Sequence, residues 1–210
     1  MRVPRHPLWL LSGFWFCVVV AIAAVLRRLG ELIRPSHGKP SQMAAIDATF
    51  SSHAVLTGMH IIPAAVFVVL AAAVLLRRTV SDSLERLFFL CGAITGATAY
   101  AMSVYPIGGW VERSAVLIFN TWFLCSLASA YWFHLRGEAA RKREWGSRAV
   151  AVLLGIATTR PVIGIFFATG ARTHLGPSQF FGIAFWIGFS INAVVIELWL
   201  HSKRRAYAVP

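Results

Sequence analysis

Acidic residues are scarce in this chain: eight Asp and Glu stand against twenty Lys and Arg in 210 residues. Charged residues of both signs make up 13%, about half of the roughly 25% usual in soluble domains. Hydrophobic residues reach 58%, more apolar surface than one soluble domain of this length can hide. A soluble globular fold is excluded, and the excess must face lipid.

Cysteine is rare as well. Cys17, Cys91 and Cys125 lie inside apolar runs without CxxC spacing, which gives no disulfide framework and no zinc signature. They read as small apolar packing residues. No nucleic-acid-binding motif accompanies the net charge of +12, so nucleic acid is not expected as a partner. The basic residues instead crowd the ends of apolar segments, where they fix topology and meet anionic lipid. Self-similar halves are absent too, which argues against an inverted-repeat transporter.

What is present is a series of apolar runs, each of about 20 residues and long enough to cross a hydrocarbon core of about 30 Å. They predict an all-α, polytopic bundle of six transmembrane helices over residues 8–26, 51–76, 87–107, 115–135, 148–169 and 179–201. The first run ends directly in Arg27-Arg28 and is too long for the apolar core of a cleaved signal, so it is read as a retained helix. Residues 27–50 form the longest connection, an extracytoplasmic loop in which Leu29–Ile33 and Met43–Phe50 have the character of short interfacial helix. Counting Lys and Arg on each side gives thirteen against six in favour of both termini inside, with Arg160 left in the membrane. Trp9, Trp110, Trp132, Trp145 and Trp199 sit at segment ends as an aromatic belt.

Inside the fifth run stands Thr158-Thr159-Arg160-Pro161. A guanidinium at that depth costs roughly 2.5–3.5 kcal/mol even on lenient insertion scales, so it demands a reason. Depth counted at about 1.5 Å per residue puts His60, Tyr100, Asn120 and Arg160 within about 6 Å of one level. Pro63 and Pro161 free the carbonyls of Met59 and Ala157 beside this level. Freed carbonyls in lipid need a side chain, water or a ligand. The arrangement fits a small polar or amphipathic ligand, quinone- or lipid-like, bound by His60, Tyr100, Asn120, Thr158 and Arg160. In the competing reading Arg160 donates to those carbonyls, Asn120 and Thr158, and the layer is internal glue in a structural or assembly subunit. No Asp or Glu is expected at this level, which counts against a proton-coupled pump. No catalytic set of residues is expected.

Haem b is a further alternative. Its ligands must come from different helices at one depth. His53 and His60 share a helix, and His134 and His201 lie at helix ends, which leaves His60 with Met102 as the one pairing.

The chain resembles a bacterial membrane-protein family catalogued as domain of unknown function 2306. The likeness lies in His60-Ile61, in Trp145 and Arg148 at the start of a helix, and in Thr158-Thr159-Arg160 at its close. It covers roughly residues 60–164 and implies a multi-pass protein of the bacterial inner membrane; it implies no activity. Two departures stand out: Lys142 takes the place of a His, and Glu85-Arg86 the place of His-Arg. A metal or haem held by the histidines of that pattern would lack some of its ligands here.

Overall fold

The structure, a computed structural model, describes residues 7–34, 44–76 and 80–208. Within them the chain is helical throughout, with no strand: α1 (Leu8–Ile33), α2 (Ala44–Ser52), α3 (Ala54–Leu76), α4 (Asp82–Met102), α5 (Gly109–Leu135), α6 (Ala139–Thr173) and α7 (Pro177–Ala208). Five of these, α1, α3, α5, α6 and α7, are long and apolar enough to cross a membrane. The lipid environment shows on the outside of the bundle, where Val19, Val55, Ile165 and Leu198 are each more than 60% exposed. Water would not tolerate such a continuous apolar exterior. The chain is an all-helical, multi-pass membrane protein.

The helices overrun the apolar runs that announce them. α1 continues through Arg27-Arg28 to Ile33, and α6 runs from Ala139 to Thr173 with Pro161 inside it. Pro63 is likewise accommodated inside α3. Hydropathy marks where a helix can face lipid, whereas backbone hydrogen bonding continues until something stops it. Between α5 and α6 the stop is Gly137, whose φ of 70° is easy only without a Cβ. It lets the Glu138 N–H reach back to the Phe133 carbonyl at 3.0 Å.

A column of aromatic rings forms the core. Phe67 stacks on Phe88 with centroids 4.3 Å apart and meets Phe123 edge-on at 5.6 Å. Phe119 stacks on Phe189 at 5.3 Å. Around this column the helices pair most extensively as α6 with α7, α5 with α6 and α3 with α4. Glycines permit the closest crossings, as small residues do where lipid gives helices no hydrophobic reason to associate. A Cβ on Gly188 of α7 would lie 2.7 Å from the Thr159 N and 2.9 Å from its Cα. We therefore expect Gly188→Ala to push α6 and α7 apart and to cost about 1–3 kcal/mol. Gly13→Ala on α1 meets nothing within 4 Å and is expected to be neutral or slightly stabilising. Thermal unfolding of the two variants in detergent checks both.

One end of the bundle is tied by ion pairs between helix termini. Glu85 at the start of α4 binds Lys142 Nζ at 2.8 Å and lies 2.8 Å from His134 Nδ1. Thus Lys142 and Glu85, the positions of the two departures noted above, are in contact with each other. Arg148 of α6 grips Glu197 of α7 through Nε at 2.5 Å and Nη2 at 3.1 Å, and takes Glu144 at 3.0 Å. Arg204 adds a second cation on Glu144.

Candidate functional site

All seven helices contribute to the wall of a central cavity of about 310 Å³. Its polar rim comes from Arg27 and Arg28 of α1, His60 of α3, Glu112 and Asn120 of α5, and Arg160 of α6. The remaining wall is mostly apolar, with Phe50, Val68, Phe119, Phe123, Phe181, Phe185 and Phe189. Such a mixture, apolar with a few convergent polar groups, is the usual character of a small-molecule site, and the volume falls at the lower end of the roughly 300–1,000 Å³ range.

His60 is held in a fixed orientation. Its Nδ1 lies 3.0 Å from Thr98 Oγ1 and 3.2 Å from the Thr95 carbonyl. The Thr98 hydroxyl is already spent as a donor to the Ile94 carbonyl at 2.7 Å, and a carbonyl only accepts. Nδ1 must therefore carry the proton, which leaves a lone pair on Nε2 in the neutral ring. Asn120, buried on α5, donates through Nδ2 to the Gly96 carbonyl at 2.9 Å and so ties α5 to α4. Met102 lines the same cavity as His60.

Arg160 differs from every other polar group on this wall. Its Nε is buried without a hydrogen-bond partner, and no ion pair to it forms among the described residues. Arg28 and Arg27, both cations, line the same cavity. Those two are themselves satisfied. Asp47 of α2 takes Arg28 Nη1 at 2.6 Å and Arg27 Nη2 at 2.8 Å. The Arg28 guanidinium also lies 4.2 Å above the Phe50 ring.

Not every polar residue of the expected layer reaches this cavity. The Tyr100 hydroxyl is bonded to Thr121 Oγ1 at 2.6 Å, between α4 and α5 and away from the cavity wall. Thr158 donates to Asn192 Oδ1 at 2.7 Å and lies 3.7 Å from Cys17 Sγ. Cys17 and Asn192 line a second, apolar cavity of about 330 Å³ between α1, α3, α6 and α7. Among the described residues neither Asn120 nor Thr158 is bonded to Arg160.

Three polar wall residues, Arg27, Arg28 and Glu112, were not apparent from the sequence. Arg27 and Arg28 enter because α1 continues past the end of its apolar run. Glu112 enters because α5 begins at Gly109, six residues before the first apolar stretch, and brings a buried carboxylate to the cavity where none was expected. The available signal was Gly108-Gly109 followed by an acid in the first turn, a pattern favoured at helix starts. Glu112 Oε2 accepts the Gly108 N–H at 2.6 Å, which caps α5. At the same place Gly108 and Gly182 let α5 and α7 touch, since a Cβ on Gly108 would lie 2.5 Å from the Gly182 N.

Among the described residues no group of three or more His, Cys, Asp or Glu is placed to hold a metal ion. Cys17, Cys91 and Cys125 are free thiols. No protein-family model, no curated protein and no solved structure matches the chain. Fold and cavity together define a class: a multi-pass helical membrane protein with a polar-rimmed chamber inside the bundle.

Proposed function

We propose that this is a six-span protein of the bacterial inner membrane, with both termini inside. It binds an amphipathic small molecule in its central cavity, head toward Arg160 and His60 and apolar body against the phenylalanine wall. α4, with Asp82, Glu85 and Arg86 in its first turns, would be the sixth span, with Leu84, Leu87 and Leu90 exposed toward lipid. The resemblance to domain of unknown function 2306 belongs to the same reading.

The observation that carries it is the buried, unpartnered Nε of Arg160, a residue with no ion pair among the described residues, on the wall of a mostly apolar chamber. Buried charges persist when paired or coordinated. Arg28 and Arg148 obey that rule within the protein. Arg160 does not, and a bound molecule supplies the missing partner.

Native mass spectrometry of the protein released from mild detergent tests this. A small-molecule adduct is expected on the wild type and not on Ala65→Phe, which fills the cavity wall while thermal unfolding confirms that the variant folds. Adducts of equal occupancy on both proteins, or on neither, would sink the proposal.

A second reading, haem b on His60 and Met102, is favoured by one observation: Nδ1 is pinned by Thr95 and Thr98, which presents the lone pair of Nε2 as metal-binding histidines do. An absorption spectrum before and after dithionite decides it. A sharp reduced α-band at near-stoichiometric haem selects haem, and a featureless spectrum removes it.

A further inference from the structure

We infer that the head of the bound amphiphile is an oxyanion, a carboxylate or phosphate, and that Arg160 takes its charge. The inference rests on the ligand reading above and narrows it, because a neutral quinone-like head would not answer the electrostatics of the chamber.

Three guanidinium groups line the cavity, those of Arg27, Arg28 and Arg160. Asp47 and Glu31 act on the α1 pair, and Glu112 lies on the cavity wall. Asp47 is committed to Arg27 and Arg28 together, with both of its oxygens engaged. Glu112 is committed to the Gly108 N–H and makes no ion pair with Arg160. None of these carboxylates forms an ion pair with Arg160, whose buried Nε has no hydrogen-bond partner. A guanidinium left without a carboxylate partner inside a membrane bundle is a costly feature.

A neutral acceptor would satisfy one or two N–H groups and leave the charge uncompensated. An oxyanion does both, because a guanidinium presents its donors as a planar fork that matches two oxygens of a carboxylate or phosphate. The remainder of the chamber excludes a free inorganic anion as the natural occupant. Val68, Leu153, Ile156, Phe119, Phe123 and Phe185 offer only apolar surface, which a solvated ion leaves unused and an alkyl chain covers. Carboxylate and phosphate heads share this chemistry, and they come from different sources: a fatty acid or a lysophospholipid.

The test uses the full chain in dodecyl maltoside with four probes: oleate, oleoyl lysophosphatidic acid, oleyl alcohol and inorganic phosphate. At least one of the two charged amphiphiles is expected to bind tenfold or more tighter than oleyl alcohol, and inorganic phosphate is expected to bind negligibly. Comparing the two charged probes identifies the source. In Arg160→Gln the preference for charge is expected to fall within twofold while the alcohol still binds; Arg160→Lys should keep part of it. Arg113→Gln, outside the cavity, should change nothing.

Equal binding of acid and alcohol by the wild type would overturn the oxyanion inference and leave the ligand reading standing. Failure of every amphiphile to bind would overturn both. A preference for charge that survives Arg160→Gln would remove Arg160 as its source. Binding of inorganic phosphate as tight as that of the amphiphiles would overturn the amphiphilic assignment.

Discussion

Arg160→Leu is expected to make the unliganded protein more stable, by about 3 kcal/mol, while abolishing its preference for a charged amphiphile. Leu is favourable by roughly 0.3–0.6 kcal/mol at the centre of a membrane helix, where Arg costs about 2.5–3.5 kcal/mol. Within the protein little offsets that cost, since the buried Arg160 Nε has no hydrogen-bond partner and no ion pair to Arg160 forms among the described residues. Removing it therefore takes away a penalty and no native contact. The same substitution under the glue reading has the opposite sign, because a side chain that donates to surrounding carbonyls would leave them unpaired when lost, at about 1–3 kcal/mol for each buried group. Thermal unfolding of wild type and Arg160→Leu in one detergent, without added lipid, separates the two. A rise in melting temperature with loss of ligand preference marks a residue retained for binding at the expense of stability. A fall would show that Arg160 holds the bundle together, and the binding proposal would lose its main support.

The sequence made the helical bundle legible because lipid imposes a simple requirement: about 20 apolar residues per crossing. It made part of the cavity legible as well. Depth along a helix follows from residue count, and His60, Asn120 and Arg160 do meet around one chamber. Counting depth says nothing about direction around the helix. Thr158 and Arg160 lie two residues apart and so point roughly 200° away from each other. Level with one another in depth, they cannot both face the cavity, and Thr158 turns to Cys17 and Asn192 instead. Tyr100 is misjudged by the same one-dimensional measure.

The charged ends were harder to read for a different reason. Arg27-Arg28 marks the end of the apolar run, yet α1 persists to Ile33, with Asp47 of α2 paired to both arginines across a connection that hydropathy reads as loop. Glu112 is hidden in the same way. A carboxylate before an apolar run looks like connector, until capping by the Gly108 N–H makes it the first turn of α5. Lys142 and Glu85 each look like a lost histidine when taken singly. Their salt bridge shows a pair whose partners lie on different helices, and spacing along one chain cannot reveal such a pair.

Arg148 provides the counter-case on the same helix, and its removal is expected to have the opposite sign to that of Arg160. The side chain is 8% exposed and forms a two-pronged pair with Glu197 of α7, a third bond to Glu144, and a stack 4.6 Å from the Trp145 ring. Replacing it with Met keeps most of the volume and removes every one of those bonds. Breaking a buried pair by taking away one partner costs about 3–5 kcal/mol. Glu197 is 40% exposed and recovers part of its hydration, so Arg148→Met is expected to cost about 2–3 kcal/mol. Much of that loss arises from the carboxylates left without a cation. The double variant Arg148→Met with Glu197→Gln should accordingly be more stable than the sum of the two single losses allows, with a coupling of about 1–2 kcal/mol. Additive losses would show that the pair is not what joins α6 to α7 at this end. Ligand preference should survive in Arg148→Met, because neither Arg148 nor its partners line the central cavity. Under the binding proposal, two arginines of one helix divide the work: the paired one stabilises the bundle, and the other spends stability on recognition.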